Sequence, residues 1–171
     1  MNLLLAVGLP FLGSLGLFAL RNDARNLAAA VAGALTLAVV ALLGLSLPAV
    51  FAGEGVAIDW PWLPFAGADF GFRADGLALV FALLVAVIGT LVILYARYYL
   101  ADEDPIARFY AFFLLFMGAM LGIVLAGNLL LLVVFWELTS LASFLLIGFW
   151  SHRSDARQGA RMALAITGGG G

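Results

Sequence analysis

Five apolar runs, each about as long as a bilayer crossing, leave this chain little choice of fold. A transmembrane helix takes roughly 20 residues. The runs cover residues 2–20 (with Pro10 inside), 27–47, 76–100, 106–126 and 129–150, and a sixth helical pattern starts near Ala156 and continues over 156–171. Composition agrees: 65% of the 171 residues are apolar and 11% carry charge, against roughly 45–50% and about 25% in soluble domains. The expected fold is all-α: a polytopic transmembrane helix bundle with five complete helices and the start of a sixth. Residues 1–171 are expected to form a single membrane domain.

The breaks between runs carry helix-end chemistry. Asp75 stands where an N-cap for the third helix belongs, and Asp104 followed by Pro105 reads as N-cap and first position of the fourth. Gly127 ends that helix and Asn128 caps the fifth, while Ser154 or Asp155 suits the start of the sixth. A secretory signal is the competing reading of the first run. No positive residue precedes it, however, it is long for such a signal, and no small-residue cleavage site follows.

Arginine placement orients the bundle. Alternating crossings put Arg21, Arg25, Arg97, Arg108, Arg153, Arg157 and Arg161 on one side and Arg73 alone on the other, which assigns the larger group to the cytoplasm. The N-terminus and the connector 48–75 then face outward. Within that connector, residues 56–60 and 69–73 suit the two strands of a short extracytoplasmic hairpin, or else an irregular loop capping the helix ends. Trp60 and Trp62 fit the aromatic belt of a membrane surface.

One ionisable side chain lies far from either edge. Glu137 is nine residues after Asn128, about 13 Å along a helix, and thirteen before Trp150, about 20 Å. Its neighbours are apolar, and inserting an acid at that depth costs about 2.5–3.5 kcal/mol. Glutamate is too short to snorkel to the surface. Burial favours the neutral form of a carboxyl and a nearby cation favours the charged one, so a group held between them suits a proton relay. Ser140, one turn on, is expected to share a polar cavity with Glu137, with Thr139 as a further supporting hydroxyl and Ser143 further round. The plainer alternative is a protonated Glu137 that bonds a backbone carbonyl or hydroxyl and only holds helices together.

The other polar residues have local explanations. Asp75, Asp102, Glu103, Asp104 and Asp155 sit at helix ends, where capping or solvation accounts for them. His152, in a cytoplasmic loop beside Arg153, is a candidate point where protons enter. Gly118, Gly122 and Ala126 form a small-residue stripe, as do Ala30, Ala34 and Ala38, and such stripes let helices approach closely. The run 168–171 suits another close crossing. With no cysteine and one histidine, thiolate chemistry and a multi-histidine metal site are excluded, and no metal or other cofactor is expected. A net charge of −2 without a basic patch gives no reason to expect nucleic acid. No phosphate loop or nucleophile–base pair is present, so no catalytic centre is expected in this chain.

From the third run onward the residues become specific. Phe72-Arg-Ala-Asp-Gly-Leu77, Tyr95-Ala-Arg-Tyr-Tyr-Leu100 and Phe109-Tyr-Ala-Phe-Phe-Leu114 resemble the front part of proton-translocating antiporter-like subunits. These include chain 5 of respiratory complex I (the L-type subunit of NADH-quinone oxidoreductase) and the large, A-type subunit of Mrp Na+/H+ antiporters. Gly127-Asn-Leu and Phe135-Trp-Glu-Leu-Thr-Ser-Leu-Ala-Ser-Phe-Leu-Leu-Ile-Gly-Phe-Trp150 resemble the Mrp version most. The complex I version usually has Trp-Glu-Gly-Val-Gly where this chain has Trp136-Glu-Leu-Thr-Ser140.

The resemblance implies a proton path with Glu137 as an essential member. Relatives pair this glutamate with a lysine on a later helix, and this chain has no lysine. It implies the N-terminal part of a longer subunit in the plasma membrane, exchanging Na+ for H+ beside other Mrp membrane subunits. The alternatives are a complex I membrane-arm subunit that pumps protons, and a scaffold segment that transports nothing.

Overall fold

The computed structural model describes residues 1–20, 24–63 and 68–170. Among these residues, seven helices and one hairpin follow in chain order: α1 Asn2–Phe18, α2 Arg25–Gly44, α3 Leu47–Phe51, β1 Val56–Leu63, β2 Ala68–Ala74, α4 Gly76–Tyr99, α5 Ile106–Leu125, α6 Leu129–Ile147 and α7 Ser154–Gly170. Among the described residues, four spans are long and apolar enough to cross a membrane: Arg25–Phe51, α4, α5 and α6. The protein is a multi-pass membrane protein. Helix α1, at 17 residues, covers about 25 Å and ends two residues before the expected boundary, closing in tight turns from Ala19 and Leu20 back to Gly16 and Leu17.

Other boundaries shift for identifiable reasons. The second apolar run breaks after Gly44 because Pro48 has no N–H to continue the ladder, and Pro48 instead opens α3. Helix α6 stops at Ile147 rather than residue 150. Gly148 caps it, and the Trp150 indole turns away to donate to Asp104 Oδ1 at 2.9 Å. That bond also corrects the expected role of Asp104. The N-cap position of α5 is Pro105, with no side-chain cap, while Asp104 Oδ2 accepts from the Ala101 N–H. Asp75 and Asn128 do cap their helices, accepting from Ala78 N and Leu131 N, each at 2.8 Å. Asp155 lies inside the first turn of α7, which begins at Ser154.

Helix α5 is the centre of the bundle, touching α1, α2, α4 and α6, while α2 lies against α1 and α4 and α7 rests on α6. Half of its span is buried, against 22–28% for the other three spans. Lipid tails offer no hydrophobic contrast with these side chains, so close packing does the holding. Gly118 and Gly122 provide it, though not by backbone contact. A Cβ on Gly118 would stand 2.9 Å from the Phe11 ring, and one on Gly122 would run into the Phe135 ring. Each glycine is a notch for an aromatic side chain.

The alanine stripe on α2 departs from expectation: Ala30 and Ala34 are exposed, and the packed face is Ala28, Ala32, Thr36, Val39 and Leu43. Gly169 and Gly170 have nothing within 4 Å of the place where a methyl group would stand, so no close crossing occurs there among the described residues.

At the opposite end from the arginines, β1 and β2 pair antiparallel from Val56↔Ala74 to Leu63↔Ala68, with an irregularity between Pro61 and Leu63. Positive φ at Gly53 and Gly55 turns the chain into this hairpin. Asp59 faces Gly71 across it, and Trp60 is 60% exposed, as a belt residue would be; the Trp62 side chain lies outside the described residues. The other end gathers Arg25, Arg97, Arg108, Arg153 and Arg157 around the ends of α2, α4, α5, α6 and α7, with exposed Tyr95, Tyr98 and Tyr99 nearby on α4. Arg21 lies outside the described residues. Arg25 donates to the carbonyls of Ala101, at 2.7 Å, and Leu100, and pairs with Asp102 at 3.6 Å.

The Gly122 notch generates a prediction. Gly122→Ala should destabilise the bundle by about 1–3 kcal/mol through overpacking against Phe135. Gly33→Ala on α2, where nothing lies within 4 Å, should be neutral or stabilising by up to about 1 kcal/mol. Unfolding in mixed micelles of rising denaturing-detergent fraction measures both.

Candidate functional site

Helix α6 is held in one rotation by its inward face. The Asn128 amide donates to the Asp69 carbonyl of β2 at 2.5 Å, and the Gly127 N–H donates to the Gly71 carbonyl at 2.8 Å. A turn further in, Leu131 is buried, and Phe135 packs against Phe11 at 6.2 Å and Phe72 at 5.9 Å between ring centres. Glu137 follows Phe135 by two residues, about 200° round the helix, so it turns away from α5. Leu130, Val133, Val134 and Leu141 share its side of α6 and are all exposed.

Glu137 stands at the middle of the 19-residue helix. The residue as a whole is half-buried, yet its Oε1 is fully buried and has no hydrogen-bond partner among the described residues. Leaving such an atom unsatisfied costs about 1–3 kcal/mol. The carbonyl or hydroxyl bond that a purely structural glutamate would make through that oxygen is therefore missing.

The hydroxyls lie elsewhere. Thr139 and Ser140 donate to the Trp136 carbonyl at 2.7 and 3.4 Å, and Ser143 donates to Ser140 O at 3.3 Å. Together they line a cavity of about 660 Å³ between α5, α6 and α7, completed on the α7 side by Ile166 and Thr167. Glu137 is not among the lining residues. The expected common cavity for Glu137 and Ser140 is thus not what the structure shows: a side chain three residues on is rotated by about 60°, enough to cross from the outward face to the α7 flank. Sequence reasoning did not find this cavity, although the i, i+4 spacing of Thr139 and Ser143 was a visible signal.

His152 is exposed in the turn between α6 and α7, without a hydrogen bond or ion pair among the described residues. It is separated from Glu137 by the second half of α6, about 16 Å of helix axis to Gly148. The structure does not bring the two together. Beside it, Arg153 donates to Asp155 at 2.8 Å and, with the Ala156 N–H, holds that carboxyl below its ordinary range. Among the described residues, no three His, Asp or Glu side chains converge as a metal-binding group.

The structure is thus a membrane helix bundle with Glu137 at mid-depth of its fifth long helix. Two family descriptions match the chain: "NADH-Ubiquinone oxidoreductase (complex I), chain 5 N-terminus" over residues 62–110, and "NADH:quinone oxidoreductase/Mrp antiporter, TM" over residues 126–169. The chain belongs to this family of antiporter-like membrane subunits, the two matches together covering more than half of it.

The A/B-type subunit of a probable K(+)/H(+) antiporter of Rhizobium meliloti is 52% identical over 162 residues, 95% of this chain and 16% of the relative. The A-type subunit of the Na(+)/H(+) antiporter of Alkalihalophilus pseudofirmus is 54% identical over 108 residues, 63% of this chain and 13% of the relative. In the Mrp complex of a Dietzia species, one chain superposes with a TM-score of 0.74 at 30% identity, over 99% of this chain and 18% of that one. The chain thus spans less than a fifth of the length of each.

If Glu137 is not a structural anchor, removing its charge should not weaken the bundle. Glu137→Leu should unfold at the same detergent fraction as the parent, or a higher one. A loss of more than about 1 kcal/mol, the size of a typical hydrogen bond, would identify it as an anchor.

Proposed function

We propose that this chain forms part of the proton path of a monovalent cation/proton antiporter, with Glu137 as the group that takes up and releases the proton. The observation that carries the reading is the buried, unpartnered Oε1 at the middle of α6, on a face lined by exposed apolar residues. Among the described residues, no hydrogen bond ties that oxygen to a structural contact. Ionisable groups within membrane helices belong to ion and proton paths by default. The chain's likeness to subunits named for K(+)/H(+) and Na(+)/H(+) antiport supports cation exchange, with Na+ the cation that the resemblance to Mrp antiporters implies.

The partners in this reading are further membrane subunits of an Mrp-type complex, as the likeness to a chain of such a complex suggests. The arginine-rich end faces the cytoplasm of a plasma-membrane protein, and the N-terminus and hairpin face outward. Thr139 and Ser140 contribute a hydroxyl-lined seam toward α7 rather than a direct contact to Glu137. His152 at the cytoplasmic end collects protons from solvent, at a distance from the buried carboxyl.

The test is sodium-dependent proton movement in everted vesicles of antiporter-deficient cells expressing the full-length protein with its partners. Glu137→Gln should reduce exchange to the level of vesicles lacking the antiporter, while the complex still assembles. Unchanged exchange in that variant removes Glu137 from the path.

A further inference from the structure

A second cavity, of about 310 Å³, opens at the arginine-rich end of the bundle, where α5, α6 and α7 meet. Its walls combine two chemistries. Arg108, Arg157 and Arg161 supply charge, and Phe112, Phe144 and Leu145 supply apolar surface, with no carboxylate among the lining residues. The arginines around it are otherwise engaged. Arg25 has Asp102, Arg153 has Asp155 and Arg97 holds Asn26, whereas the three in the cavity have no carboxylate partner among the described residues.

Arg108 is set in place from within. It donates to the Phe149 carbonyl at 3.0 Å, and its guanidinium lies 5.3 Å from the centre of the Phe149 ring. Its Nε is buried with no hydrogen-bond partner among the described residues. Arg157 and Arg161 are one turn apart on α7, so they share a face, and both are exposed.

From this arrangement we infer that the cavity binds an anionic phospholipid, with the phosphate against the three arginines and the start of the acyl chains along Phe112, Phe144 and Leu145. Three cations gathered on one cavity without a counter-charge call for an anion. A free inorganic anion would use only the arginines and leave the aromatic wall wet. A lipid satisfies both at the depth where headgroup meets hydrocarbon, and basic pockets between membrane helices are suited to such headgroups. The inference does not rest on Glu137, which lies about 10 Å further along α6 from Phe144.

Native mass spectrometry of the membrane-extracted chain tests it. The chain is titrated with phosphatidylglycerol and phosphatidylcholine of identical acyl chains, with and without excess inorganic phosphate. The parent chain should retain phosphatidylglycerol in preference, and the preference should fall by roughly fivefold for each arginine changed to glutamine. Lysine at the same positions should keep most of it. Should the triple glutamine variant lose its helical circular dichroism, Arg157→Gln with Arg161→Gln, both at exposed positions, carries the same comparison. Equal retention of the two lipids by the parent, or an undiminished preference in the double variant, overturns the inference. Displacement of phosphatidylglycerol by inorganic phosphate also overturns it, since the site would then be one for a free anion.

Discussion

Between Gly71 of the hairpin and Gly127 of the α5–α6 turn the two backbones come close enough for a 2.8 Å hydrogen bond from N–H to carbonyl. A Cβ on Gly127 would stand 2.8 Å from that same carbonyl oxygen, and one on Gly71 would run into Asp59. Gly127 therefore demands glycine, for space rather than for flexibility, whereas a Cβ on Gly71 would chiefly displace the exposed Asp59 side chain. Backbone groups near the membrane need partners within the protein, and this contact supplies one. It also seats Phe72, 1% exposed, beside Phe135, whose ring fills the notch at Gly122. The rotation of α6 follows from that chain of contacts, and with it the direction in which Glu137 points. The geometry of the whole site depends on this seam.

Opposite sides of α6 thus carry different chemistry at the same depth. Toward α5 lie Leu131, Phe135 and Ala142, packed and apolar. On the α7 flank three hydroxyls border a cavity, each donating to a carbonyl of its own helix and keeping its lone pairs free to accept. The outward face bears one carboxyl among exposed aliphatic side chains. The bundle ends are polarised as well: arginines and tyrosines at one, a tryptophan-bearing hairpin at the other. Arg25 reaches the carbonyls that close α4, where a cation also meets the negative end of the helix dipole.

The helices were legible in the sequence because the runs of apolar residues are long and their interruptions are polar or conformationally special. Asp75 and Asn128 announced their capping roles by type and position alone. The hairpin was one of two open readings, since short alternating stretches do not separate strand from loop. Asp104 misled because its placement before Pro105 satisfies the local rule for a cap, while the bond that won comes from Trp150, 46 residues on. The small-residue stripes were visible, but what fills a notch is a tertiary matter: Gly118 and Gly122 receive rings, and Ala30 and Ala34 receive nothing.

For the site, the depth of Glu137 could be counted from the sequence. Its separation from Ser140 could not, because spacing of three residues is compatible with one cavity or two. The central claim is that the Glu137 carboxyl changes protonation as the cation gradient is worked. Infrared difference spectroscopy of the full-length protein in vesicles, with a sodium gradient imposed and released, observes this directly. The account predicts a protonated-carboxyl band that appears and disappears with the gradient and is missing from Glu137→Gln. A spectrum in which that carboxyl keeps one protonation state throughout turnover would contradict it.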